Sequence, residues 1–94
     1  MADWKFATAD KIEELSRVEY FSFKKIQDDR AIDFLITIRE YIAPPDPAMR
    51  FYASADRQTN QATAPFTPCG WGPDLLVALN ECLKAIRRFP YQGA

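Results

Sequence analysis

The stretch Ile32-Asp33-Phe34-Leu35-Ile36-Thr37-Ile38-Arg39-Glu40-Tyr41-Ile42 constrains the fold more than any other part of the chain. Its even positions read Ile, Phe, Ile, Ile, Glu, Ile and its odd positions Asp, Leu, Thr, Arg, Tyr. A period of two with β-branched and aromatic content specifies a strand with one buried face. Such a strand needs paired neighbours and a cover for its apolar side.

Both neighbours are legible. Glu19-Tyr20-Phe21-Ser22-Phe23-Lys24-Lys25 alternates as well, with Phe21 and Phe23 on one face and Tyr20, Ser22 and Lys24 on the other. Gln27-Asp28-Asp29-Arg30 between the two runs is a polar turn. After the central strand, Ala43-Pro44-Pro45-Asp46-Pro47 must end the ladder, because proline donates no backbone N–H. A third run then places Met49, Phe51, Ala53 and Ala55 inward and Arg50, Tyr52 and Ser54 outward. Short links between three alternating runs imply an antiparallel meander.

The cover is supplied by residues 73–89, whose period changes to that of a helix. Leu75, Leu76, Leu79, Cys82, Leu83, Ile86 and Phe89 form one stripe. Gly72 and Pro73 fit the N-cap and first helical position, Asp74 suits the positive end of the dipole, and Lys84, Arg87 and Arg88 suit the negative end before Pro90. Leu79 and Leu83 are expected to pack on Phe34, Ile36 and Phe51. Residues 8–17 read as a further short helix, with Asp10 and Glu13 at capping-box spacing and Ile12 and Leu15 as its apolar stripe. The expectation is one α+β domain over residues 1–94, a two-layer sandwich in the order α-β-β-β-α with a three-stranded antiparallel meander under the C-terminal helix.

That order is similar to the layout of double-stranded-RNA-binding domains. Those domains carry a lysine cluster at the start of the last helix, whereas here Gly72-Pro73-Asp74 puts an acid there. The resemblance therefore implies architecture and not RNA binding.

Composition removes several classes of function. The chain has no histidine, so a Ser/His/Asp triad, a Cys/His dyad and a histidine metal site cannot be built within it. Lys and Arg number 12 against 13 Asp and Glu, for a formal charge of −1, which disfavours a general polyanion binder. Three glycines cannot form a phosphate cradle of the usual kind, and no calcium loop follows Asp28, Asp29 and Asp33. No apolar run is long enough to span a bilayer, and Cys69 and Cys82 allow at most one disulfide. A cytoplasmic protein with reduced thiols, no cofactor and no metal is expected.

Binding features remain. The outer sheet face carries Tyr20, Tyr41 and Tyr52 beside Lys24, Arg39 and Arg50, with Trp4 and Phe6 available to cover part of it. Residues 57–72 form a long link without periodicity, containing Phe66 and Trp71. The candidate interaction surface is therefore Tyr20, Arg39, Tyr41, Arg50, Tyr52, Phe66 and Trp71. Tyr and Arg concentrate binding energy at protein interfaces, so the first expectation is a non-catalytic protein-interaction or regulatory module that engages a protein partner or a second copy of itself. Aromatics on an open sheet also stack on bases, which makes single-stranded nucleic acid the alternative. A second alternative is thiol chemistry at Cys69, placed just before a helix N-terminus but without a base beside it. Cys82 falls on the helix stripe and reads as core.

Overall fold

The computed structural model describes residues 15–42 and 46–93. It contains strands β1 (Ser16–Gln27), β2 (Arg30–Tyr41), β3 (Phe51–Ala55) and β4 (Cys69–Gly72), followed by helix α1 (Leu75–Arg88). The strands form one antiparallel sheet in the order β1-β2-β3-β4. The class is α+β, with α1 on one face of the sheet.

β1 and β2 make a long hairpin with unbroken register from Ser16↔Tyr41 to Gln27↔Arg30. Asp28 and Asp29 turn the chain with φ of 50° and 62°, both left-handed. Two such residues make the turn whose twist matches the flanking strands. In this register Phe21 faces Ile36 and Phe23 faces Phe34, as the alternation requires.

Three readings of the sequence need correction. First, the sheet has four strands and not three, because the end of the long link pairs with β3 from Phe51↔Gly72 to Ser54↔Cys69. Second, Ser16 and Arg17 open β1 and do not end a helix. Leu15, just before them, is not helical either; residues 8–14 of the expected first helix, and Trp4 and Phe6, lie outside the described residues. Third, Met49 is not a strand residue. It ends a short 3-10 turn, Pro47–Met49, that Asp46 caps by accepting the Ala48 N–H at 2.9 Å.

The core lies between the sheet and α1. Ile32, Phe34, Ile36, Ile38, Ala53 and Ala55 meet Ala78, Cys82 and Ile86, all buried. Leu79 and Leu83 pack at the flank of this cluster, half-buried, so Ala78, Cys82 and Ile86 and not the leucines form the helix side of its centre. The reason is the approach distance. Gly70 and Gly72 face the helix, and a Cβ on Gly70 would lie 2.5 Å from Glu81 Cβ and 2.7 Å from Ala78 O. Without side chains there, the helix backbone seats directly on β4.

Both helix ends are satisfied. Asp74, the N-cap in place of the expected Gly72, accepts the Val77 N–H at 2.9 Å. At the other end Lys25 from β1 donates to the carbonyls of Ile86 (2.9 Å) and Phe89 (3.2 Å). A cation there meets orphan acceptors and the negative end of the dipole together. Burial pushes the Lys25 ammonium below its ordinary pKa. The chain then runs back along the hairpin tip, where Gln27 and Tyr91 exchange two hydrogen bonds of 2.7 and 2.9 Å.

Candidate functional site

The sheet face opposite α1 is built by alternation and by register. One row across it reads Val18, Arg39, Tyr52 and Trp71; the next reads Tyr20, Thr37, Ser54 and Cys69; Ser22 and Leu35 follow. β4 makes this face continuous. Gly70 and Gly72 turn to the helix, so Trp71 and Cys69 between and beside them must turn to the other side.

Three aromatic side chains meet there. Tyr52 and Trp71 sit directly opposite one another, with ring centroids 4.4 Å apart. The Ala55 N–H bonds to Pro68 O at 2.9 Å, which fixes the hydrogen-bonding phase of this ladder. Tyr52 and Trp71 accordingly fall at a non-hydrogen-bonded pair, where side chains approach most closely. Tyr41 stacks on the same indole at 6.2 Å with an interplanar angle of 24°. Burial first, and then the neighbouring Cys69 side chain, hold the Tyr52 hydroxyl above its ordinary pKa.

The face is open. Of the six exposed large apolar side chains among the described residues, Tyr20 (64% exposed), Ile26, Leu35 (44%) and Trp71 (41%) lie on it, and the other two are on α1. Tyr20 and Leu35 lie within two rows of Trp71, whereas Ile26 stands apart at the hairpin tip beyond Lys24 and Asp33.

The seven residues singled out from sequence do not form one surface. Tyr20, Arg39, Tyr41, Tyr52 and Trp71 share the open face. Arg50 follows the 3-10 turn, and its Nε lies 3.5 Å from Glu40, which pairs with Phe51 on the helix side. Phe66 is also elsewhere. It is bridged to the buried Thr59 by backbone hydrogen bonds of 2.8 and 2.9 Å, and its ring packs on Phe89 with centroids 5.2 Å apart. With Lys84 and Arg88 it lines a groove of about 490 Å³ beside α1. Leu35 and Cys69 belong to the open face as well, and the alternation of β2 places Leu35 there. For Cys69 the signal was Gly70-Trp71-Gly72, a large side chain between two small ones, which suits a short edge strand under a helix.

Both cysteines are free, Cys69 half-buried and Cys82 fully buried. Burial pushes the Cys82 thiol up to about 12, so it stays protonated at neutral pH. Among the described residues no three His, Cys, Asp or Glu side chains are placed to hold a metal ion. No helix of the described residues is long and apolar enough to cross a membrane.

Comparison with family models, curated proteins and solved structures finds no match.

Proposed function

We propose that this chain is a non-catalytic protein-interaction module that recognises a protein partner through the open face of its sheet. The observation that carries the reading is the Tyr41–Trp71–Tyr52 cluster, held on the side of the sheet that α1 leaves uncovered. Aromatic rings fixed by mutual stacking lose little conformational freedom on binding, and Tyr, Trp and Arg are the residues that dominate interface energetics. Arg39 stands in the same row as Tyr52 and Trp71, exposed, and adds a polar contact at the cluster's edge. Two unpaired thiols fit a reducing compartment such as the cytoplasm.

Single-stranded nucleic acid is the weaker occupant. Trp71 already contacts two tyrosine rings, Arg50 is drawn to Glu40, and the chain's formal charge is −1. Base stacking needs free ring faces, and backbone tracking needs a surplus of cations.

The test is affinity measurement with a purified partner recovered by capture on the wild-type chain. Tyr52→Ala and Trp71→Ala are expected to weaken it by roughly 30-fold or more each, the loss of an interface anchor of about 2 kcal/mol. Leu76→Ser, on the helix, should leave it unchanged. Full retention of affinity in both aromatic variants overturns the reading. Tight, steeply salt-dependent binding of a thymidine 20-mer by the wild type would replace it with the nucleic-acid one.

A further inference from the structure

The first edge of the sheet carries a second interaction surface, distinct from the aromatic cluster. The Tyr41 N–H bonds to Arg50 O at 3.0 Å and the Asp56 N–H to Leu35 O at 3.0 Å, so the odd residues of β2 turn their backbone groups to β3. The even residues therefore serve β1 through Glu19, Phe21, Phe23 and Lys25. The N–H and C=O groups of Val18, Tyr20, Ser22, Lys24 and Ile26 point away from the sheet, and among the described residues no strand pairs with them. This edge is twelve residues long, contains no proline, and its register with β2 is unbroken by any bulge. Edges that stay unpaired are usually shortened, bulged, broken by proline or guarded by charge; of these β1 has only the charges, and the pairing below sets Glu19 against Lys25 and Lys24 against Tyr20.

We infer that β1 pairs with β1 of a second copy, antiparallel, about a two-fold axis at Ser22. The side chains select this register. With Ser22 opposite itself, Tyr20 meets Lys24 of the second copy, Val18 meets Ile26, Phe21 meets Phe23, and Glu19 meets Lys25. Val18, Ile26, Phe21 and Phe23 each face an apolar residue, the Tyr20 ring faces the Lys24 stem, and Glu19 faces a cation, twice over by symmetry. Moving the axis to Phe21 sets Glu19 against Phe23 and Arg17 against Lys25. Moving it to Phe23 sets Phe21 against Lys25 and takes the cation away from Glu19. An axis on Lys24 puts two lysines face to face.

Burial agrees with this register. Ile26 and Tyr20 are 69% and 64% exposed, and they gain Val18 and the Lys24 stem. Phe21 and Phe23, half-buried on the helix side, gain one another across the axis. The product is a continuous eight-stranded sheet with both helices on one face. The Tyr41–Trp71–Tyr52 cluster stays open on the other.

Disulfide trapping tests the register. Residues opposite one another at a hydrogen-bonded pair have Cα atoms about 5.5 Å apart, within disulfide reach, whereas positions four residues out of step are not. In a Cys69→Ser background, Ser22→Cys is expected to give a covalent dimer on mild oxidation. Lys24→Cys, on the same edge and face but opposite Tyr20, is expected to give at least tenfold less. Ser22→Pro removes an edge donor without touching the ladder to β2. It should convert a dimer into a folded monomer, read by sedimentation equilibrium and circular dichroism. The inference is overturned if the wild type is monomeric at 100 μM, if the two cysteine variants cross-link alike, or if folded Ser22→Pro remains dimeric.

Discussion

Gly70→Ala measures how closely α1 sits on β4. The added methyl would lie 2.5 Å from Glu81 Cβ and 2.7 Å from both Ala78 O and Cys82 N. Ordinary contact begins near 3.4 Å, so the shortfall is about 0.7–0.9 Å. Nothing in that list is the flexible end of a side chain. All three atoms belong to the helix backbone or its first carbon, and the helix is held at both ends by Asp74 and Lys25. The helix must therefore lift as a body. A gap of 0.5–1 Å forfeits roughly a quarter to a half of the dispersion energy of the contacts it opens, here those of Ala78, Cys82 and Ile86. Overpacking costs about 1–3 kcal/mol. Against it stands a gain of about 0.5–1 kcal/mol from restricting the unfolded chain. The expected net loss is about 1.3 kcal/mol, which lowers Tm by roughly 5–10 °C in a domain of this size. Urea unfolding with an unchanged slope is the assay. Gly72→Ala should cost slightly less, because its close atoms lie at 2.7–2.8 Å and one of them, Val77 Cγ1, is beyond the first side-chain carbon. A Gly70→Ala midpoint equal to wild type would refute the close seating.

Other perturbations address the hairpin, the helix end and the core. Asp29→Gly should stabilise the chain by about 1 kcal/mol in urea unfolding, since glycine adopts the left-handed conformation of that turn without the cost an aspartate bears. Lys25→Met leaves two carbonyls at the end of α1 without their donor and should cost about 1–3 kcal/mol in the same assay. Cys82 keeps its proton up to about 12 in the folded chain and loses it near 9 when unfolded. The unfolded state then binds fewer protons, so stability contributed by this thiol is present below pH 9 and is lost as pH rises toward 12. Unfolding free energies of wild type and Cys82→Ala compared across that window should diverge by about 1.4 kcal/mol per pH unit, and parallel curves would contradict the burial of this thiol.

Much of this structure was legible because it rests on period. Ile32, Phe34, Ile36 and Ile38 are buried as their alternation demands, and Leu75, Leu79, Cys82, Leu83 and Ile86 of the α1 stripe pack toward the sheet, whereas Leu76 is 64% exposed. The fourth strand was hidden because a strand of four residues, half of them glycine, has no hydrophobic alternation to read. Its signal lies in what is missing: two absent side chains that admit a helix. That omission also divided the candidate surface wrongly, since Trp71 joins the tyrosines as a strand residue while Phe66 goes to the groove beside α1. The lysine cap of α1 was illegible for another reason. Lys25 and Ile86 lie 61 positions apart, and only the diagonal path of the helix brings them together.

Photo-cross-linking from two matched positions tests the recognition surface most directly. Leu35 on the open face and Leu76 on α1 are both exposed leucines, 44% and 64%. Each is replaced in turn by p-benzoylphenylalanine in the full chain within cells, and adducts are identified by mass spectrometry. The account expects a discrete adduct with a different polypeptide from position 35, none from position 76, and loss of the first when Trp71→Ala is added. Equal adducts from both positions, or an adduct at 35 that survives Trp71→Ala, would contradict it.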